Sequence, residues 1–419
     1  MRLLFLTNLY PPELLGGYEL ACANVAKALC LRGHDVRVLT TWCHLPRPAD
    51  EPAWVDRRLD LHWQIPHRSA NPHVDQRDLH SAFCSSYANT LHLLDNLRAF
   101  RPDLVYAWNL TGIGAAALLD LLNQIGVPWA LHLMDRVPVD IVANMPPAVL
   151  GLFNAQGSAL YASALILSMS QHLLDEITTM SGIMFPQGAE LVPGWADISD
   201  TTLHEPYLRD GMARFVTAGI VAAHKGMDLI LEASSRLKTE GLSFVVDVFG
   251  DGDLSQYTDK ARAMQVNDCV RLLGPRTQPE LSRLYAGYDA FLFPTWEREP
   301  FGFAPIEAAA RGTPPIMTRN CGASERVVDG VHAIKIERTA DELAEAMRGV
   351  ATGAVDVARI GRAGRRLVAS DLSFARCLDR IERALQAHAR PWRHAAADDP
   401  SLPLLAFLKH NLSISLRFG

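Results

Sequence analysis

The sequence predicts an α/β protein built of two parallel-sheet domains. Short apolar runs of strand length alternate with segments of helical period along almost the whole chain, the pattern of β-α-β units. The alternation loosens once, around residues 193–212, and then restarts. The 419 residues suffice for about two to three ordinary domains. We therefore expect an N-terminal domain over 1–195 and a C-terminal domain over 200–370. The last helix and tail, from about 373 to 419, are expected to pack back on the N-terminal domain.

Residues 3–6 read as a buried strand, followed by a loop that ends in Gly16 and Gly17. Over 19–31 the apolar Leu20, Val25, Ala28 and Leu29 recur at helical spacing, and Gly33 stops the helix. A strand at 36–39 completes a β-α-β unit. Its Gly pair is not the G-x-G-x-x-G pattern of dinucleotide sites, and it serves equally as turn chemistry. Residues 45–80 read as irregular, broken by Pro46, Pro48, Pro52, Pro66 and Pro72. Their histidines, His62, His67, His73 and His80, are unevenly spaced and lack recurring partners, which argues against a metal site. A helix over 81–100, a strand over 103–108, a helix over 115–124 and a strand over 128–133 follow. A strand at 164–167 and a helix at 171–180 close the first alternation.

The second alternation opens with a strand at 215–219, a loop carrying His224-Lys225-Gly226, and a helix at 227–237. Strands at 244–249, 270–274, 289–293 and 314–317 are separated by a helix at 279–286 and one opened by residues 299–307. Helices occupy about 340–350, 355–368 and 373–389. In such sheets, ligands bind at the loops after the strands' C-terminal ends. Gly16, Gly17, Asn109, Thr111, Asp135 and Ser170 all fall there.

Composition excludes several classes. A net charge of −6 gives no basic field for nucleic acid. The seven cysteines are scattered without a C-x-x-C pair, which argues against structural zinc and a disulfide framework and fits a reducing, cytoplasmic location. The apolar start breaks at Asn8 and Pro11, too early for a signal peptide core, and no run approaches the ~18 apolar residues of a membrane span.

The densest chemistry lies in Glu299-Pro300-Phe301-Gly302-Phe303-Ala304-Pro305-Ile306-Glu307. Gly302 falls at a helix start, where backbone N–H groups and the helix dipole favour an anion. One carboxylate precedes the helix and the other lies inside it, so a phosphate-bearing polyol fits between them; an ordinary surface loop is the competing reading. Lys225, after a strand and before a helix, is a second candidate anion site on the same sheet edge. Asp251-Gly252-Asp253 matches the D-x-D pattern used for metal–diphosphate binding but reads as turn chemistry.

Taken in order, Gly219 to Lys225-Gly226, 270–274, 289–294, Glu299-Pro300-Phe301-Gly302 with Glu307, Gly312-Thr313-Pro314, and Gly322-Ala323-Ser324-Glu325 resemble the retaining glycosyltransferases of family 4. Tyr10-Pro11-Pro12, Gly16-Gly17, Arg32-Gly33-His34, Ser170, Val192-Pro193 and Asp197 extend the likeness, which runs to about residue 388. The resemblance implies the GT-B fold, two Rossmann-like domains with parallel sheets facing across a cleft. It implies transfer of a sugar from a UDP- or GDP-type donor to an acceptor hydroxyl with retention and without a metal or other cofactor. Glu299, Lys225, Asp135 and His132 are the implied catalytic set. Gly16, Gly17, Lys225, Leu273, Glu299, Phe301, Gly302, Phe303 and Glu307 are the implied donor site. Glu307 would take the ribose hydroxyls, Glu299 the sugar hydroxyls, and Lys225 the diphosphate.

The chain departs from the family at two places. Ile220 stands where Arg or a polar residue is usual, and Met134 where His often precedes the aspartate matching Asp135. His132, two residues earlier, is a candidate replacement or a core histidine. These departures keep open a non-catalytic nucleotide-sugar-binding subunit; a GT-B nucleotide-sugar epimerase is a separate alternative, for which the sequence shows no acid/base set near the anomeric carbon. The tail from 391 lies outside the resemblance; its stretch 403–410, apolar with a basic end, is expected to pack on the N-terminal domain, with contact to a membrane inner face or a partner as the alternative.

Overall fold

The computed structural model describes residues 1–42, 45–62, 79–198 and 211–418. It contains two sheets in which every strand pair is parallel. The first comprises β1 (Arg2–Leu6), β2 (Asp35–Thr41), β3 (Val55–Leu59), β4 (Leu104–Ala107), β5 (Trp129–Leu133), β6 (Leu165–Ser168) and β7 (Glu190–Leu191), in the order β3-β2-β1-β4-β5-β6-β7. The second comprises β8 (Ala213–Ala218), β9 (Phe244–Phe249), β10 (Val270–Gly274), β11 (Ala290–Phe293), β12 (Pro315–Thr318) and β13 (Ile334–Ile336), in the order β10-β9-β8-β11-β12-β13. Both are doubly wound sheets. Their central strands are continuously apolar and buried because helices cover both faces, as in Val105 and Tyr106 of β4 or Phe291 and Leu292 of β11.

This winding locates the cleft. Strand order reverses between β1 and β4 in one sheet and between β8 and β11 in the other. The loops leaving those four strands diverge and leave a crevice at each switch point. They carry Gly16-Gly17, Asn109–Thr111, Gly219–Lys225 and Trp296–Gly302.

The residues expected to be irregular include a strand. β3 pairs with β2 although its sequence, Val-Asp-Arg-Arg-Leu, lacks an apolar run. It is an edge strand, where charged residues guard against aggregation, and Arg57 is buried against Glu51 at 2.7 Å. His67 and His73 lie outside the described residues, as does part of the expected linker. The helix expected over 81–100 is broken. A π-helical turn, His80–Cys84, ends at Ser85, and a new helix, Tyr87–Phe100, is capped by Ser86. Gly114 approaches so closely that a Cβ there would lie 2.5 Å from the Ser86 nitrogen. That approach needs an extended backbone at 85–86 and ends the helical periodicity. The Asp251-Gly252 segment is a loop bridged in parallel to Val221, whose N–H donates to the Asp251 carbonyl at 2.8 Å; Gly252 has φ +126° and its N–H donates to the Asp251 carboxylate at 2.9 Å.

The Phe374–His388 helix contacts the first sheet's elements. His34 bonds Glu382 at 2.8 Å and Arg32 bonds Asp379 at 2.7 Å. Further on, Trp392 donates to the Pro102 carbonyl at 2.8 Å. One apolar cluster runs from Phe5 and Tyr106 of the first sheet to Phe291 and Ile306 around the second, so the two halves share a buried floor beneath the cleft.

Candidate active site

The cleft encloses about 860 Å³ and is lined from both halves. On the C-terminal side, Gly302 caps the Phe303–Ala310 helix with φ +99°, and a Cβ there would sit 2.7 Å from the Phe293 ring. Only glycine fits that turn, which aims the helix N-terminus into the cleft. The loop before it is pinned: Gly322 N–H donates to the Glu299 carbonyl at 3.1 Å and Ala323 N–H to that of Phe301 at 2.9 Å. Phe301 turns its side chain down into the floor against Gly194, leaving its backbone at the cleft.

Lys225 ends a single 3-10 turn after β8. Gly226 follows at φ +83° and packs on Pro294, where a Cβ would lie 2.2 Å from the carbonyl oxygen. The Trp296 N–H donates to the His224 carbonyl at 3.0 Å. The two loops are thus held together, and Lys225 forms an ion pair with buried Glu299, whose carboxylate also accepts from Thr295 Oγ1 at 3.0 Å. The opposite wall begins with the Gly pair. Gly17 abuts Phe303, 3.3 Å from a Cβ position, so the turn after β1 sits over the start of the Phe303–Ala310 helix. Glu19 reaches back to accept from the Gly16 N–H at 3.0 Å, and burial pushes its carboxyl up. Asp135 lies deep in the cleft but open to it. Burial raises its carboxyl and Glu299 adds to this, while Arg136 and Lys225 oppose it.

The structure therefore brings Gly16, Gly17, Asp135, Lys225, Glu299, Phe301, Gly302 and Phe303 to one cleft. It does not bring His132 there. His132 is fully buried, its Nδ1 2.6 Å from the Tyr106 hydroxyl and its ring 4.5 Å from that of Trp108. Burial lowers it to about 3, so it is a neutral core histidine. Its carbonyl accepts from Tyr18 at 3.0 Å. Leu273 is the penultimate residue of β10, exposed, and does not line the cleft. Glu307 lies one turn into the helix, half-buried beside Gln278 at 3.2 Å. It is beyond the cleft lining but about 6 Å along the axis from Phe303, within reach of a ligand lying along the helix start. Both departures from the family pattern, Ile220 and Met134, line the cleft.

Arg136, Glu176, Trp296 and Arg298 also line the cleft, although none is a candidate site residue from the sequence. Arg136 ion-pairs Glu176 at 3.5 Å, and Arg298 reaches the same carboxylate at 3.2 Å from the other half. Glu325 accepts the Gln171 N–H at 2.9 Å, capping a helix of the opposite half. Trp296 packs against the His224 ring in a tilted arrangement, centroids 4.8 Å apart. Trp296 and Arg298 were legible only as members of the loop before Glu299. Glu176 is on a helix flank and was not legible.

Asp140 offers a pH test. Burial and then Asp135 raise its carboxyl to about 6, above the ~3.9 of an unfolded chain. Its contribution to stability is therefore full below about pH 4 and is lost as pH rises through 6. Asp140→Asn should lose about 1–2 kcal/mol less stability between pH 5 and pH 7.5 than the parent does. Equal losses in denaturant titrations of both proteins would reject the assignment.

A family model described as "Glycosyl transferases group 1" matches residues 201–367, and one described as "Glycosyl transferase 4-like domain" matches 16–194. Glycogen synthase of Mycobacterium tuberculosis is 26% identical over 389 residues, covering 89% of this chain and 92% of that one. D-inositol 3-phosphate glycosyltransferase of Streptosporangium roseum is 24% identical over 348 residues, 77% of each chain. A glycosyltransferase structure from Rickettsia africae matches with a TM-score of 0.70 at 15% identity, covering 92% of this chain and 98% of that one. HepE of Anabaena, solved with UDP, matches at 0.65 and 18%, covering 92% and 100%. Two doubly wound domains facing across a cleft make this a GT-B protein. The chain belongs to the GT-B glycosyltransferases of the group 1, family 4 type.

Proposed function

We propose that the protein transfers a sugar from a nucleotide diphosphate donor of the UDP or GDP type to an acceptor hydroxyl, with retention and without a resident metal. The observation that carries this reading is the Lys225–Glu299 pair at the N-terminus of the Phe303–Ala310 helix, with Asp135 facing it. The C1–oxygen bond to the diphosphate breaks and a bond from the acceptor oxygen to C1 forms. Lys225 and the helix N-terminus meet the charge that develops on the leaving diphosphate, and their preorganisation lowers the barrier. The pairing of Lys225 with Glu299 is exchanged: the phosphates take the ammonium, and the carboxylate turns to the sugar hydroxyls. Glu307 receives the ribose hydroxyls further along the helix. Asp135, whose environment raises its proton affinity, is placed to receive the acceptor's proton. The Gly17 turn over Phe303 closes the diphosphate side and keeps water from hydrolysing the donor.

HepE is solved with UDP and with UDP-glucose, which makes UDP-hexoses the first donors to try. Mass spectrometry of products from a nucleotide-sugar panel with mixed acceptors decides the function. A new glycoside is expected, and its anomeric NMR coupling reads retention. A sugar altered without acceptor would make the protein an epimerase. Donor binding without turnover would make it a binding subunit, the reading that Ile220 and Met134 in the cleft favour.

A further inference from the structure

The C-terminal helix, Leu402–Phe418, is built inside out. Its polar side chains face the protein: Lys409 bonds the buried Asp120, His410 lies 3.2 Å from Ser85 Oγ, and buried Ser413 lies 2.9 Å from His80 Nε2. Beyond Leu402, which is buried in the core, its large apolar side chains up to Leu416 face away. Leu404, Leu405, Phe407, Leu408, Leu412, Ile414 and Leu416 are all exposed, Leu404 by 60% and Leu408 by 54%. At 100° per residue they span an arc of about 200°, with no charge on it. Surface helices of soluble domains show the opposite arrangement, apolar in and charged out.

Two polar residues, Asn411 and Ser415, interrupt this arc, and both bond back to their own helix. Asn411 Nδ2 donates to the Phe407 carbonyl at 2.8 Å and Ser415 Oγ to that of Asn411 at 3.2 Å. The outward face therefore presents few unmet polar groups, as an apolar environment requires.

We propose that this face lies in the interfacial layer of a lipid bilayer, making the protein peripherally membrane-bound through its C-terminal helix. A second copy is the lesser occupant. Seven side chains from one helix fall well short of the 20–30 residues per side of a standard protein interface, and the arc is wider than a coiled-coil seam. Insertion into a bilayer needs no such threshold, since affinity scales with the apolar area buried. The helix does not span: no described helix is long and apolar enough to cross a membrane. With no charge on the arc and a net charge of −6 on the chain, apolar burial drives the binding. The surface stands independently of which donor or acceptor the cleft takes.

The test is vesicle flotation of the full-length protein, with phosphatidylcholine alone and with added phosphatidylglycerol, at low and high salt. The protein should float with both, with little effect of salt. Combined Leu404→Glu, Leu408→Glu and Leu412→Glu should lower the partition coefficient by about 10²-fold or more. These positions point away from the core, so the melting temperature should hold; Leu408→Gln alone is the milder check and should give a smaller loss. Protein that stays unbound with both vesicles overturns the proposal. So does flotation confined to anionic vesicles and abolished by salt. A lipid-free dimer by light scattering that the triple variant dissociates would assign the face to a second copy instead.

Discussion

Lys225→Ala is expected to lower kcat by about 10²- to 10³-fold while changing the donor KM far less. The size follows from what removal of one preorganised donor to a developing oxyanion costs. The direction follows from the geometry. In the unliganded cleft the Lys225 ammonium already has a partner in Glu299, so ground-state binding gains little from it. Its full charge is used when the diphosphate leaves and Glu299 has turned to the sugar. Ile220 faces the cleft where the family usually has a polar group, which leaves Lys225 with more of that charge. Steady-state kinetics with the productive donor checks the split. A KM effect equal to or larger than the kcat effect would place Lys225 in ground-state binding. Unchanged kinetics would remove it from the site. Thr295 continues to hold Glu299 in the variant, and a melting curve controls for loss of fold.

Glu307→Ala is expected to do the reverse, weakening donor binding by about 10- to 100-fold with kcat largely retained at saturation. Hydrogen bonds donated by ligand hydroxyls to a carboxylate contribute about 1.5–3 kcal/mol each when buried. Burial already raises the Glu307 carboxyl, and it accepts a long 3.2 Å bond from Gln278 Nε2, so it is positioned by the helix rather than consumed by a strong partner. Calorimetry with the nucleoside diphosphate alone isolates this term from the sugar. An unchanged affinity would mean the ribose lies elsewhere. The two variants together separate the ends of the donor: one acts on the bond that breaks, the other on the nucleoside that anchors it.

Much of the fold was legible because doubly wound sheets write themselves into local pattern. A continuously apolar strand such as β11 needs no partner to be recognised, and Gly302 announces a turn that a side chain would block. β3 was missed because its burial comes from a paired arginine and a neighbouring strand, which leave no apolar run. The break at 85–86 was missed because its cause, Gly114, is distant in sequence.

The site divides in the same way. Glu299, Gly302, Lys225, Gly17 and Asp135 stood out because each sits where a strand ends, and their shared edge follows from parallel winding. His132 illustrates the limit. Its alternation on β5 with Met134 placed the two on the same side, but only packing showed Tyr106 and Trp108 closing over it. The Glu176–Arg298 and Glu325 contacts across the halves, and the reversed polarity of the C-terminal helix, are likewise invisible in sequence. Sequence by itself determined the elements, their winding and the chemistry at the strand ends, because these depend on neighbours a few residues away. Tertiary structure alone decided which of those groups face the cleft and which face outward, because burial is set by residues hundreds of positions apart.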